Sequence, residues 1–149
     1  MKKVNGKFVH KCNQDNILIS NVTYKDGYYI AYIVYSQNNQ FFFENERNHL
    51  PGILLIEAVR QKFLATLHIY FDVGEDKAFL MDGFTVEFKS YASLKRKVII
   101  KTFFEKNKRT YAGKTELFQD GRLIAKFSSS CTVLSKKAVM RMEKSIEKY

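Results

Sequence analysis

The sequence predicts an α+β domain in which a curved antiparallel sheet of about six strands wraps around one long central helix. Two β-rich runs precede one long apolar run and four more follow it, so helices do not alternate with strands as they would in a βαβ fold. The apolar run is hydrophobic on nearly every side, which requires other elements to surround it.

A single domain accounts for all 149 residues. A chain of this length buries roughly two-thirds of the surface that its unfolded form exposes. Its 13 Phe and 9 Tyr supply bulky core side chains, and one Pro with seven Gly leaves no long flexible linker. The last residues, 136–149, are predicted to be a basic C-terminal tail, either a short helix or a frayed end.

The domain is predicted to begin with a β-hairpin. Between residues 17 and 35 two β-rich runs flank Asp26 and Gly27, a dipeptide that favours the positive φ angles of a tight hairpin turn. The polar and aromatic segment 36–50, with three successive phenylalanines, is predicted to be a loop.

The apolar run predicts a helix from about Gly52 to Phe71. Pro51 suits the first helical turn, where its missing N–H is not needed, and Asn48 is a candidate cap. Five polar residues make a transmembrane span costly, so a buried helix in a soluble domain is expected. They are Glu57, Arg60, Gln61, Lys62 and His68.

Four strands are predicted after the helix from runs rich in β-branched and aromatic residues. They cover residues 78–89, 97–105, 109–118 and 122–134. Because the connections between them are short, successive strands are expected to be antiparallel neighbours.

One polar stripe runs along the predicted helix. Five residues fall within an arc of about 100°, while Lys62 and Thr66 point the other way. The five are Glu57, Arg60, Gln61, Leu64 and His68. Unpaired burial of ionic groups would cost several kcal/mol, so they must pair, contact a partner subunit or line a cavity. The stripe is therefore either a structural ion pair at a dimer interface or an active site.

The remaining histidines and the cysteines give weaker signals. His49 precedes the helix, beside the unsatisfied N–H groups of its first turn, whereas His68 is expected to be satisfied on the stripe and His10 lies near the first strand. Cys12 and Cys131 are expected to be free thiols in a cytoplasmic protein, Cys131 as an ordinary strand residue. No metal site and no cofactor is predicted.

The formal charge of +10 indicates an acidic partner, whether nucleic acid, anionic lipid or an acidic carrier protein. The basic residues are dispersed, and neither zinc-finger spacing nor an RNP1-like aromatic motif accompanies them. We therefore expect neither nucleic-acid nor membrane binding.

Two segments resemble a known family. Residues 51–61, PGILLIEAVRQ, are similar to the helix start of β-hydroxyacyl carrier-protein dehydratases and, through LLxExxRQ, of the A-factor biosynthesis family, which makes γ-butyrolactone signal precursors. Val9, His10 and Lys11, followed by residues 16–20, resemble the opening of an A-factor-type repeat. The resemblance implies the hotdog fold, in which a sheet wraps a central helix.

The resemblance also assigns residues. Glu57 matches the helix glutamate of both groups and Arg60 the arginine peculiar to the A-factor type, which makes them the expected catalytic pair. Gly52 matches a glycine whose amide polarises a thioester carbonyl, and with Gln61 and His49 it is assigned to substrate binding.

The chain departs from the family patterns at two places. Phe43 stands where the dehydratases have a catalytic histidine, and a histidine usual in A-factor-type sequences is absent near Asn38, Asn39 and Gln40. The chain also has one repeat where butyrolactone synthases usually have two. A homodimer is expected to restore the pair.

The resemblance implies an acyltransferase. A β-ketoacyl group would leave the thioester of an acyl carrier protein or coenzyme A for the hydroxyl of a small phosphorylated acceptor, in signal or secondary-metabolite biosynthesis. Glu57 would be the general base and Arg60 would bind phosphate or the oxyanion. A dehydratase, an acyl thioesterase and a non-catalytic acyl-binding module are the alternatives.

Overall fold

The computed structural model describes residues 1–45 and 48–148. Six strands form one sheet: β1 Thr23–Lys25, β2 Tyr28–Tyr32, β3 Lys77–Phe88, β4 Ile99–Asn107, β5 Thr110–Gln119 and β6 Arg122–Ser135. The helices are α1 Gln40–Phe43, α2 Gly52–Tyr70 and α3 Lys136–Ile146, with short 3-10 helices at Gly6–Val9 and Gln14–Asn16. Glu46 and Arg47 of the predicted loop and Tyr149 of the predicted tail lie outside the described residues.

Every pairing between the named strands is antiparallel, and the strand order is β1-β2-β4-β5-β6-β3. The turn between β1 and β2 has φ angles of 52° at Asp26 and 83° at Gly27, so the predicted hairpin is confirmed. Asp120 and Gly121, at 49° and 78°, join β5 to β6 in the same way.

The expectation that β3 and β4 are neighbours is wrong. β3 lies at the sheet edge beside β6, and β4 lies between β2 and β5. The connecting residues bond elsewhere: the Leu50 N–H donates to the Ala92 carbonyl at 2.8 Å, and the Gln119 amide donates to the carbonyl of Ser93 at 2.9 Å. The connection is therefore hydrogen-bonded to the segment before α2 and to β5 instead of closing a hairpin.

The long helix α2 lies in the core, as predicted, with bounds within one residue of those expected. The ring of Phe63 lies 4.8 Å from that of Phe104, and a Cβ at Gly113 would lie 3.0 Å from it, so the helix approaches the sheet closely there. The N-cap is Pro51 with no side-chain hydrogen bond, so the cap predicted at Asn48 is wrong.

The N-terminal segment, residues 1–22, differs most from prediction. Ile17, Leu18 and Ile19 are fully buried, yet this stretch makes only isolated bridges and no strand. The Leu18 N–H donates to the side chain of Gln61 at 2.8 Å, so helix α2 takes the place of a strand partner.

Two further helices lie outside the sheet and α2. Helix α1, within the predicted loop, was not foreseen; Asn39 caps it by accepting from the Phe41 N–H at 3.1 Å. The tail forms helix α3, which has no buried residue, so of the two predicted forms the short helix is the one found.

Candidate active site

The polar stripe of α2 is built around an ion pair. The guanidinium of Arg60 donates to both carboxylate oxygens of Glu57, at 2.7 and 2.8 Å. The two residues are three apart, so the helix itself presents them to each other. A bidentate guanidinium–carboxylate pair is rigid in both distance and plane, which fixes the remaining N–H groups of Arg60.

Gln61 attaches the stripe to the N-terminal segment. Its amide nitrogen donates to the Asn16 carbonyl at 2.7 Å and to Glu57 at 3.0 Å, and its oxygen accepts from the Leu18 N–H. The side chain is completely buried, and these bonds satisfy it. Among the described residues, Gln61 orients Glu57, and its side chain has no exposed atom that a ligand could contact.

Lys11 completes the surroundings of Glu57, with its ammonium 3.1 Å from the carboxylate. Burial on its own would raise the pKa of Glu57, but hydrogen bonds from Arg60 and Gln61 and the nearby positive charge outweigh it and lower the pKa to about 2. A carboxylate this acidic is a weak proton acceptor at neutral pH, which argues against the general-base role expected for Glu57.

His68, the last residue of the stripe, meets His10. The Nδ1 of His68 lies 2.6 Å from the Val73 carbonyl, and its Nε2 lies 3.2 Å from the Nε2 of His10. The ring of Phe79 packs against both imidazoles. His68 is thus satisfied, as predicted, through a partner that the sequence did not reveal.

In the part of the chain that the structure describes, three cavities adjoin α2. Glu57 lines one of about 420 Å³ together with Lys11, and Arg60 lines another of about 610 Å³ together with His10. The Glu57–Arg60 pair therefore separates two cavities. Lys77 and Lys136 also line the Arg60 cavity, against a single carboxylate from Glu75, so this cavity favours an anion.

The third cavity, of about 440 Å³, lies at the start of α2 and is lined by His49 and Gly52. A Cβ at Gly52 would lie 3.0 Å from the ring of Phe88, so a larger residue there would crowd the helix start. His49 packs on Tyr91 with ring centroids 4.5 Å apart. The structure thus brings Glu57, Arg60 and Gln61 together and places the other two predicted residues at this separate cavity.

On the opposite side of α2, Lys62 is completely buried. Its ammonium nitrogen has no hydrogen-bond partner among the described residues, and it lies 5.8 Å from the centroid of the Phe104 ring. Burial lowers the pKa of Lys62 well below its usual range, because the surrounding apolar groups disfavour the charged form.

The other groups that could take part in chemistry are the two thiols and any cluster of metal ligands. Cys12 and Cys131 are both free, and burial raises the pKa of Cys131 to about 12, which keeps it protonated. In residues 1–45 and 48–148, no three His, Cys, Asp or Glu side chains are placed to hold a metal ion. No helix among these same residues has the length and apolar character needed to cross a membrane.

Sequence reasoning missed His10 and Lys11 as site residues. Both come from a segment that the helix pattern cannot place, because contacts between distant parts of a chain leave no periodic signal. The available clue was the motif Val9-His10-Lys11 itself, which puts two polar side chains directly after a buried valine.

Solved structures similar to this chain are hotdog proteins of low sequence identity. The dehydratase heterocomplex ApeI:P from Xenorhabdus doucetiae has a TM-score of 0.66 at 12% identity, covering 91% of this chain and 94% of that one. A hot-dog-like protein from Thermanaerovibrio acidaminovorans has a TM-score of 0.63 at 12% identity, with 79% and 88% covered.

A hypothetical thioesterase with coenzyme A from Streptococcus pneumoniae has a TM-score of 0.54 at 13% identity, with 77% and 85% covered. At such identities these likenesses establish the fold and nothing finer. No curated protein matches the chain significantly in sequence.

The family is established by sequence. Residues 1–135 match the family described as AfsA, the A-factor biosynthesis hotdog domain. The match covers the N-terminal segment, α2 and all six strands, and it ends where α3 begins. The predicted hotdog architecture is confirmed, and the chain belongs to the A-factor biosynthesis hotdog domain family.

Proposed function

We propose that this protein transfers a β-ketoacyl group from a carrier-protein or coenzyme A thioester to the hydroxyl of a small phosphorylated acceptor. The observation that supports this proposal is the bidentate Glu57–Arg60 pair on a buried helix, with the cation-lined cavity of Arg60 beside it and a second cavity at the start of the same helix. Family membership directs the choice of reaction, since the A-factor type makes butyrolactone signal precursors.

Arg60 is the residue that we assign to the acceptor. It lines the cavity that also contains Lys77 and Lys136, so several cations face one space. A guanidinium recognises phosphate or a developing oxyanion by paired N–H donors, and its charge persists at any physiological pH. The acceptor's phosphate would bind there, with its hydroxyl directed towards the thioester.

The acyl thioester is assigned to the cavity at the start of α2. Leu55 and Phe88 give this cavity apolar walls, while Gly52 belongs to the first helical turn. Amide N–H groups in that turn have no intrahelical acceptor, and the helix dipole makes them favourable partners for a polarised carbonyl oxygen. His49 also lines this cavity, where it would contact the carrier arm.

Glu57 and Gln61 are proposed to hold Arg60 in place. Because the carboxylate receives four donated hydrogen bonds or ion-pair contacts, it stays ionised and keeps the guanidinium plane fixed. We therefore propose that Glu57 serves catalysis as the ionised partner of Arg60, with Gln61 as a positioning residue behind it.

A thioesterase or a dehydratase is the second candidate, since the proteins with similar folds include a hypothetical thioesterase with coenzyme A and a dehydratase heterocomplex. Phe43 takes the position of the dehydratase histidine, which favours transfer or hydrolysis over dehydration. A non-catalytic acyl-binding module would bind thioesters without turnover.

One experiment separates these functions. The protein is mixed with a medium-chain β-ketoacyl-CoA, with and without dihydroxyacetone phosphate, and thiol release and products are followed by absorbance and mass spectrometry. Acyl transfer predicts thiol release and a new ester that require the acceptor, and Arg60→Met lowers the rate roughly 10²–10³-fold. Arg109→Met, on an exposed turn, is the matched control and leaves the rate unchanged.

Other outcomes of this experiment have defined meanings. Thiol release without acceptor indicates a thioesterase, and loss of water from a β-hydroxyacyl-CoA indicates a dehydratase. Binding of the thioester without any product would replace the enzyme proposal with the acyl-binding module.

We also propose that the protein is a homodimer joined along β3. This strand of 12 residues forms the sheet edge and has no neighbour on its outer side among the described residues. Leu80, Met81 and Phe88 on it are 44%, 38% and 52% exposed. A long apolar edge is a template for strand addition. Native mass spectrometry of protein purified from its host tests the dimer and detects a retained acyl ligand.

The charge of +10 supports an acidic acyl carrier protein as the donor. Docking driven by opposite charges weakens as salt is added, because counterions screen the attraction. We expect turnover with a carrier-protein thioester to fall with ionic strength more steeply than turnover with the coenzyme A thioester. Equal salt dependence of the two would contradict carrier docking.

A further inference from the structure

We propose that His10 is the general base of the reaction, held in position by His68. The inference rests on the proposed acyl transfer and assigns the proton-accepting role that Glu57, bound by Arg60, Gln61 and Lys11, does not fit. His10 lines the same cavity as Arg60, so an acceptor whose phosphate binds the guanidinium has its hydroxyl in the cavity that His10 lines.

The hydrogen bonds of the pair fix which nitrogen of His10 can accept a proton. A carbonyl only accepts, so His68 must carry its hydrogen on Nδ1, which faces the Val73 oxygen at 2.6 Å. In a neutral ring the Nε2 of His68 is then an acceptor, and the Nε2 of His10, at 3.2 Å, must donate to it. The Nδ1 of His10 is left with a lone pair and has no partner among the described residues.

In this arrangement His10 is the base and His68 is the group that orients it, as in catalytic triads. His68 and the Val73 carbonyl hold the His10 ring in one tautomer, and the Phe79 ring packs against both imidazoles. His10 itself is exposed on the cavity side. Its φ of 55° is a conformation that few non-glycine residues adopt, and such backbone strain is concentrated at functional sites.

The charges around His10 keep it ready to accept a proton. Burial lowers its pKa from the usual 6.5, and the neighbouring His68, Arg60 and Lys136 lower it further. Lys77 and Glu75 line the same cavity, and Glu75 is paired with Lys7 at 3.0 Å. At neutral pH the His10 imidazole is therefore uncharged and has its lone pair available.

The proposed step balances without any further reactant. The acceptor oxygen forms a bond to the thioester carbonyl carbon while its proton passes to Nδ1 of His10, and the carbonyl electron pair moves to oxygen. The carbonyl re-forms, the carbon–sulfur bond breaks, and its electron pair leaves with sulfur. His10 then returns its proton to the thiolate, so an ester and a free thiol result. Water in place of the acceptor gives hydrolysis by the same steps.

The decisive variant is His10→Asn. Asparagine tolerates the left-handed backbone and its amide can donate to His68, but it has no titratable nitrogen. We expect kcat for thiol release from β-ketoacyl-CoA, with dihydroxyacetone phosphate as acceptor, to fall about 10²–10⁴-fold. We expect wild type to lose rate as pH falls through the lowered pKa of His10, and this loss should be absent in the variant. Cys12→Ser, exposed and two residues away, is the matched control and keeps the wild-type profile.

His68→Leu tests the positioning role. It removes the acceptor for His10, and we expect a lower kcat with the inflection of the pH profile displaced, since one of the groups that lower the pKa of His10 is gone. A merely structural His68 would change stability and leave that inflection where it was.

The outcomes are separable from those of the proposed function. If wild type converts the thioester and His10→Asn retains both its kcat and its pH profile, the inference is wrong and acyl transfer stands. If wild type converts no thioester, both the proposed acyl transfer and the role of His10 as its general base are wrong. Nitrogen-15 NMR of the imidazoles gives a readout besides activity: hydrogen on Nδ1 of neutral His10 would overturn the inference whatever the kinetics.

Discussion

Glu57 and Lys62 lie five positions apart on one helix, and each buries an ionisable group in a different way. Glu57 keeps its charge, because Arg60, Gln61 and Lys11 donate to it and lower its pKa to about 2. Lys62 has no hydrogen-bond partner in the described part of the chain, and burial lowers its pKa well below the usual range.

The difference shows what each side of the helix faces. The N-terminal segment covers the Glu57 side with its own polar groups and leaves cavities beside it, so a charge there has both partners and access to ligands. The Lys62 side faces the sheet, where the nearest identified partner is the ring of Phe104. On α2, hydrogen bonds therefore stabilise an ionised group on the side that adjoins cavities, whereas burial disfavours the charged form on the side that faces the sheet.

The largest expected change in the free energy of unfolding comes from removing the side chain of Gln61, which donates a hydrogen bond to Glu57. Gln61→Leu leaves the buried N–H of Leu18 and the carbonyl of Asn16 without their partner. We expect a loss of about 3–4 kcal/mol in the free energy of unfolding, measured by urea denaturation. Gln37→Leu, at an exposed position, should change it by less than about 0.5 kcal/mol. A loss no larger than this control's would contradict the role of Gln61.

The next effect has the opposite sign. Lys62→Met keeps the volume of the side chain and removes the buried amine, so we expect a gain of about 2–3 kcal/mol at neutral pH. The pKa of Lys62 is 10.5 in the unfolded chain and lower in the folded chain. Between these two pKa values the unfolded chain holds a proton that the folded chain does not, so the free energy of unfolding of wild type rises with pH in this range. The gain should shrink as pH approaches 10.5.

Urea denaturation of wild type and Lys62→Met across this pH range measures that effect. Lys114→Met, on the exposed side of β5, is the matched control and should show neither the gain nor its pH dependence. A destabilised Lys62→Met protein would mean that the amine has a partner after all.

The smallest effect concerns the ionised state of Glu57. Its pKa is 4.5 unfolded and about 2 folded, so the stabilisation is fully present above pH 4.5 and is lost as pH falls towards 2. Glu57→Gln should cost about 1–2 kcal/mol at neutral pH, a figure reduced for partial solvent exposure, and nothing near pH 2. Glu105→Gln, exposed on β4, is the control for thermal unfolding at both pH values. A difference that persists in acid would contradict the assignment.

The sequence was sufficient to predict α2, the four long strands and the Glu57–Arg60 pair, because each depends on a local pattern. Helical spacing alone places residues 57 and 60 together. The site around them was not predictable in the same way. Lys11 and His10 reach α2 through long-range contacts, the His10–His68 contact joining residues 58 apart in sequence, and no periodicity encodes such a meeting.

The strand neighbours of β3 were mispredicted for a related reason. A short connection favours a hairpin, but Gln119 and Leu50 offer the connecting residues other partners, and those partners are distant in sequence. Local propensity therefore described the elements well and their assembly less well.

The adjacent positions of His10 and Lys11 have a consequence for how activity should be interpreted. The sheet pairs its strands without residues 1–22, yet both ends of the stripe on α2 depend on that segment. A molecule whose first residues have detached could keep its strand pairing, but it would lose the buried packing of residues 17–19 and the bonds of Gln61, so it would be less stable and would have no functional centre. Specific activity would then report the docked fraction of the N-terminal segment, and a preparation with intact strand pairing can still be inactive.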